Sequence, residues 1–338
     1  MNAQVARAAP APVPALRYDA VAAVIGAWSV VGLMLDGRAH ETGAVESFFT
    51  PWHAVLYSGV AAALLALGVS AARARRAGHG RRLAFPAGYG LAAVGAGIMA
   101  FAGAADMLWH AIFGIEEDLA ALLSPTHLLL LVGGLLLLSA PARAAWLRRG
   151  SPQGWRALGP AIVSATLTAT AVGFFVEFSS PFHDAGVLAG DGDHGGAELG
   201  IAGVLITTML LTGTLAALTQ RFGRLPFGAA TLVFTGVVAL LSLAADFEVA
   251  GAVAAAALGG LAADVILGRA AGGRHPSLVL ALVPVPFWVV FYAMVAVSER
   301  LTWDVELWSG SIVLSALAAY GVALLAGGGA STSKWSTS

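Results

Sequence analysis

The hydrophobic pattern sets the architecture. Long apolar stretches alternate with short polar ones from one end of the chain to the other, and a membrane-crossing helix needs about 20 apolar residues. Ten stretches qualify: 18–36, 52–72, 85–111, 125–141, 158–179, 198–220, 227–246, 249–268, 277–297 and 309–327. The pattern therefore predicts an all-α polytopic membrane protein of about ten transmembrane helices. The seventh and eighth stretches are joined by a very short turn.

Polar positions sort by residue type. Arg7 and Arg17 precede the first stretch, and Arg73, Arg75, Arg76, Arg81 and Arg82 follow the second. Arg143, Arg148, Arg149 and Arg156 follow the fourth, Arg221 and Arg224 the sixth, and Arg269 and Arg274 the eighth. With ten spans all of these fall on one side, which the positive-inside rule makes cytoplasmic. Both termini are then cytoplasmic, and the site-bearing loops face the extracytoplasmic side of the cell membrane. Most acids gather on that outer side, and so do six histidines: His40, His53, His110, His127, His183 and His194. The positive-inside rule has nothing to say about histidine, so this sorting needs a cause of its own.

A repeat supplies one. Asp36, His40 and Glu46 are followed by Thr50-Pro51-Trp52-His53, and Asp106, His110 and Glu116 by Ser124-Pro125-Thr126-His127. The offsets from Asp to the first His and to Glu are the same in both copies. Each copy spans the outer turn of a helical hairpin, helices 1–2 and then helices 3–4. A partial third copy, Ser180-Pro181-Phe182-His183, follows Glu177. Asp and His four residues apart share one helix face. The hydroxyl residue reads as a helix N-cap and proline as the first helical position, which puts histidine at the third position. The positive helix end there keeps that imidazole neutral, with a lone pair available to a metal. A carboxylate near a helix C-terminus is electrostatically misplaced unless a cation is near. Arg38 could serve the first copy, while the second offers no arginine.

Composition narrows the chemistry. Of 338 residues 58% are hydrophobic and only 11% charged, against about 25% charged in soluble domains. The mean hydropathy is strongly positive. Formal net charge is −1, which gives no case for nucleic acid, and there is no cysteine. Thiolate zinc sites, iron–sulfur clusters and cysteine nucleophiles are excluded. Histidine and carboxylate remain as the ligand set.

The expected metal ligands are Asp36, His40, His53, Asp106, His110, His127 and His183. Glu46, Glu116 and Glu177 are the expected catalytic or ligand-orienting carboxylates. Asp/His/His with open positions suits copper, non-haem iron or catalytic zinc, in that order of expectation. The domain reading is a cytoplasmic tail at 1–17, metal-site helical repeats at 18–197, scaffold helices at 198–327 and a second tail at 328–338. Asp264 is expected to pair with Arg269, and Trp303 and Trp308 to anchor at the membrane interface.

The stretch Asp36-x3-His40-x12-His53 resembles the Asp/His/His copper-site motif of the C subunit of the copper membrane monooxygenases, which oxidise methane, ammonia and short hydrocarbons. The resemblance covers about eighteen residues and implies copper held by Asp36, His40 and His53. The second copy has a longer final gap, and that family's subunit has fewer spans and works in a multi-subunit complex. The expected function is a copper- or iron-dependent membrane oxidoreductase acting on a small apolar or lipidic substrate. Its partners would be membrane lipid, a second copy in an oligomer, and an electron-donor or metal-donor protein. The competing readings are a metal-delivery or transport protein and a zinc-dependent membrane hydrolase. Transport needs ionisable residues through the membrane depth, and helices 1–5 carry almost none in their inner halves. Haem is a poorer fit, since each histidine has an acid beside it.

Overall fold

The computed structural model describes residues 16–43, 50–78, 85–114, 118–148, 150, 153–183, 185–188, 194–249, 251–270, 275–298 and 301–328. Its helices are α1 (Leu16–Glu41), α2 (Pro51–Arg76), α3 (Gly90–Phe113), α4 (Asp118–Leu123), α5 (Pro125–Leu138), α6 (Ala140–Leu147), α7 (Gly154–Phe174), α8 (His194–Phe222), α9 (Ala229–Ala244), α10 (Gly251–Arg269), α11 (Pro276–Leu282), α12 (Val285–Val297) and α13 (Val305–Gly328). Among the described residues nine helical stretches are long and apolar enough to cross a membrane, α5–α6 and α11–α12 each counting as one. The seventh expected span, α9, has only 16 residues. The chain is a multi-pass helical membrane protein.

Helix ends differ from the hydrophobic pattern where polar chemistry intervenes. The fifth stretch does not run to residue 179: α7 stops at Phe174 and the chain turns into short 3₁₀ segments. The fourth breaks at Ser139, and the break is satisfied internally. Arg143 donates to the Leu136 carbonyl at 2.6 Å, and the Ser164 hydroxyl donates to that of Leu138 at 2.6 Å. Freed backbone groups in lipid persist only when neighbours satisfy them.

Glycine lets the ligand-bearing helices close up in pairs. A β-carbon at Gly32 would lie 2.5 Å from the Leu56 backbone nitrogen, fixing α1 against α2. One at Gly95 would lie 2.5 Å from the Gly133 carbonyl oxygen, fixing α3 against α5. Without a hydrophobic drive between helices in lipid, such close backbone approach supplies much of the packing.

The main core is centred where α7–α10, α12 and α13 meet, and α1 reaches into it with Val30 and Met34. Phe182, Phe234, Phe287, Trp288, Phe291 and Tyr292 form a continuous aromatic cluster within it. Its polar handles are paired, Trp288 Nε1 to Thr208 at 2.8 Å and the Tyr292 hydroxyl to Ser311 at 2.8 Å. Trp303, expected at the interface, is buried and packs on Tyr292. The fraction of residues buried is 61% in α7 but 22% in α2 and 33% in α3, so α2 and α3 lie at the rim of the bundle while α1 links them to the core.

Two buried carboxylates find partners far away in the chain, and one of them departs from expectation. Asp264 does not reach for Arg269. It accepts the Ala230 and Thr231 backbone N–H groups at 3.0 Å each and the Thr231 hydroxyl at 2.6 Å, capping α9 from the neighbouring helix. Gly228, in the left-handed region at φ 91°, turns the chain so that these N–H groups point at α10. Asp19, in the first turn of α1, is fully buried, pairs with Arg148 and accepts the Tyr89 hydroxyl at 2.7 Å.

Asp264→Ala is expected to destabilise the protein by about 1–3 kcal/mol, the cost of leaving a buried donor unpaired. Arg269→Ala should be neutral. Thermal unfolding in detergent measures both.

Candidate metal centre

The two copies of the motif build the same arrangement. In each, the helix carrying Asp-x3-His ends beside the start of the next spanning helix. Thr50 and Ser124 are N-caps whose hydroxyls accept the backbone N–H of His53 and His127 at 3.3 Å. Pro51 and Pro125 occupy the first turn, where a missing N–H leaves nothing unsatisfied. Each histidine therefore projects from the helix mouth toward its carboxylate.

Each carboxylate then gives one oxygen to each of two imidazoles. In the first copy Asp36 Oδ1 is 3.1 Å from His53 Nε2, and Oδ2 is 3.9 Å from His40 Nε2. In the second, Asp106 Oδ1 is 3.3 Å from His127 Nε2, and Oδ2 is 3.5 Å from His110 Nε2. Among the described residues, only Asp106, His110 and His127 bring one ligand atom each within 4.8 Å of one another. This triad could hold a metal ion. The first set is looser because His40 stands off, with 39% of its side chain exposed.

Thr126 explains part of the difference. It donates its hydroxyl to Asp106 Oδ1 at 2.7 Å and holds a carboxylate that is only 5% exposed. The matching residue of the first copy is Trp52, which has no hydroxyl to give. Thr126 occupies the variable position of the hydroxyl-Pro-x-His string, so repeat matching passed over it. A threonine on a helix start beside a ligand histidine was the available signal.

His110 carries a further constraint. Its Nδ1 lies 3.2 Å from the Gly114 carbonyl oxygen. A carbonyl only accepts, so Nδ1 carries a proton directed at Gly114 and Nε2 is the ring nitrogen that faces Asp106. At 3.5 Å this nitrogen and the buried carboxylate are matched by a positive charge between them, which a second ring proton or a metal ion supplies. Helix α3 runs on to Phe113, so Asp106 is about two turns inside it. The electrostatic cost at Asp106 is therefore burial, not the helix dipole, which fades within the last turn.

The expected arginine partner of the first set is engaged elsewhere. Arg38 forms an ion pair with Asp246 at 2.6 Å. Both of these side chains are about half exposed, so the pair ties α1 to the end of α9 without neutralising Asp36.

The third motif copy does not start a helix. Ser180 accepts the Phe182 backbone N–H at 3.3 Å within a turn, and Phe182 is buried in the aromatic core. This places His183 between two glutamates: Nε2 is 3.0 Å from Glu41 Oε1 and Nδ1 is 3.8 Å from Glu177 Oε2. The two ring nitrogens face different carboxylates, so this trio does not converge on one point as the Asp106 triad does. Glu41 comes from the last residue of α1. Glu46, Glu116 and the side chain of His194 lie outside the described residues.

Burial pushes the Glu177 carboxyl up to about 9, and the charge on Glu41 adds to the effect. Glu177 is then neutral in the folded protein at neutral pH and ionised in the unfolded chain. The unfolded chain binds fewer protons, so stability falls as pH rises from 4.5 to about 9. Glu177→Gln should flatten this decline, with its gain over the wild type growing across that window in thermal unfolding curves. A gain independent of pH would refute it. Compared with protein-family models, curated proteins and solved structures, the chain matched none.

Proposed function

We propose that this protein is an integral membrane oxidoreductase that binds copper or iron at Asp106, His110 and His127. The observation that carries the reading is the His110 ring, whose Nδ1–H is committed to Gly114 and whose Nε2 faces a buried carboxylate. A metal cation between Nε2 and Asp106 satisfies both groups. Histidines that bind metals commonly donate their other ring N–H to a carbonyl, which sets the tautomer and the ring orientation.

Two histidines and one carboxylate occupy one side of a metal and leave positions open for oxygen and substrate, as in non-haem iron oxygenases. Bound copper or iron would supply the electron exchange that no side chain of this chain can. The residues around the ligands favour apolar substrates. Met107, Leu108, Ile112 and Phe113, between and beside the α3 ligands, are 48%, 59%, 63% and 66% exposed. On the rim of a bilayer protein such residues meet lipid, so a small apolar or lipidic molecule reaches the ligands sideways. Electrons would come from a separate donor.

The arginines at the ends of α2, α8 and α10 mark the opposite end of the bundle. The positive-inside rule assigns that end to the cytoplasm and the triad to the extracytoplasmic side.

Metal analysis of protein purified after growth with defined metals tests the reading. Copper or iron should be present stoichiometrically and be lost in His110→Ala and His127→Ala. Thr126→Val should weaken binding about 10–100-fold, the usual effect of removing a group that orients a ligand. Binding that these variants leave unchanged refutes the site. Zinc as the only bound metal would replace redox chemistry with hydrolysis or metal delivery.

A further inference from the structure

We infer that the two Asp/His/His sets act as one coupled pair of metal sites, joined by Tyr57. The inference rests on the metal-binding reading of the Asp106 set and extends it to the Asp36 set. Three observations support it.

Tyr57 follows His53 by one helical turn, on the same face of α2, with ring centres 6.0 Å apart. His53 in turn is 3.1 Å from Asp36, so the ring belongs to the first set by position. The same ring also reaches the second set. A β-carbon at Gly103 would lie 3.3 Å from the Tyr57 ring and 3.6 Å from its hydroxyl oxygen. Gly103 is one turn before Asp106 on α3, and its missing side chain is what lets the phenol lie across that helix. Finally, the Tyr57 hydroxyl stands in the electrostatic field of both Asp36 and Asp106. Leu33 and Leu131 are the repeat-related counterparts of Gly103 and Tyr57, so this bridge is an asymmetric addition to a symmetric frame.

The arrangement has a physical consequence. Two carboxylates whose fields meet at one phenol are not electrically independent in a half-buried site of low dielectric. A cation entering one set changes the field at the phenol and, through it, at the other carboxylate. The looser first set would tighten as His40 closes on a bound ion. Tyr57 is a positioning residue here: it links two ligand sets rather than reacting itself.

The test uses purified full-length protein titrated with cupric ion. Two copper ions per chain are expected, with paramagnetic resonance showing spin–spin interaction between them. In Asp36→Asn the remaining copper, at the Asp106 set, should bind with an affinity altered about 5–150-fold, the usual size of site-to-site coupling. Tyr57→Phe should still bind two copper ions but bring that factor toward one. One copper per chain, two magnetically isolated copper ions, or an Asp106-set affinity unmoved by Asp36→Asn overturns the inference and leaves the single-site reading standing. No bound copper or iron at all removes both. The resonance measurement on the unaltered protein decides the matter even where Asp36→Asn fails to fold.

Discussion

A buried carboxylate shared between two imidazoles organises the ligand-bearing end of this molecule. Asp106 is withdrawn from solvent inside α3, and burying a carboxylate is costly unless it is paired and hydrogen-bonded. Thr126 and His127, both on the first turn of α5, supply two of its contacts, and His110 on its own helix supplies a third. These contacts require α3 and α5 to meet at a fixed depth, which the Gly95–Gly133 approach provides. Helix packing and ligand geometry are therefore one problem here, solved in the same way in the α1–α2 hairpin around Asp36.

The placement of α2 and α3 on the rim matters as much as the internal geometry of the hairpins. A site in the aromatic core would be sealed by Phe287, Trp288 and their neighbours. On the rim, the same bundle supplies rigidity from one side while lipid-facing side chains border the ligands on the other. Arg38 is committed to Asp246 at the end of α9, which leaves the Asp36 carboxylate to its histidines.

Much of this was legible in the sequence because it depends on local rules. Apolar length marks the spans, hydroxyl-Pro marks the starts of α2 and α5, and Asp-x3-His marks a shared helix face. What escaped depends on contacts between segments far apart in the chain. Thr126 and Tyr57 sit at positions where the repeat does not repeat, so matching the two copies hid them. Asp264 has an arginine five residues on, yet its partners are backbone N–H groups more than thirty residues earlier, exposed by the short span of α9. The third Ser-Pro-x-His string has the spelling of a helix start, but burial of Phe182 turns it into a loop that carries His183 to Glu41 and Glu177. Asp19 shows the same limit at the other end, where an acid in an apolar stretch is paid for by Arg148 and Tyr89.

Anomalous diffraction from protein crystals grown with copper or iron, collected at the metal's absorption edge, tests the central claim most directly. The account predicts a peak bonded to His110 Nε2, His127 Nε2 and an Asp106 carboxylate oxygen, each at roughly 2.0–2.2 Å, the usual length of such metal–ligand bonds. A fully loaded protein with its peak elsewhere, or with His110 still turned to Asp106 and no metal between them, would contradict it.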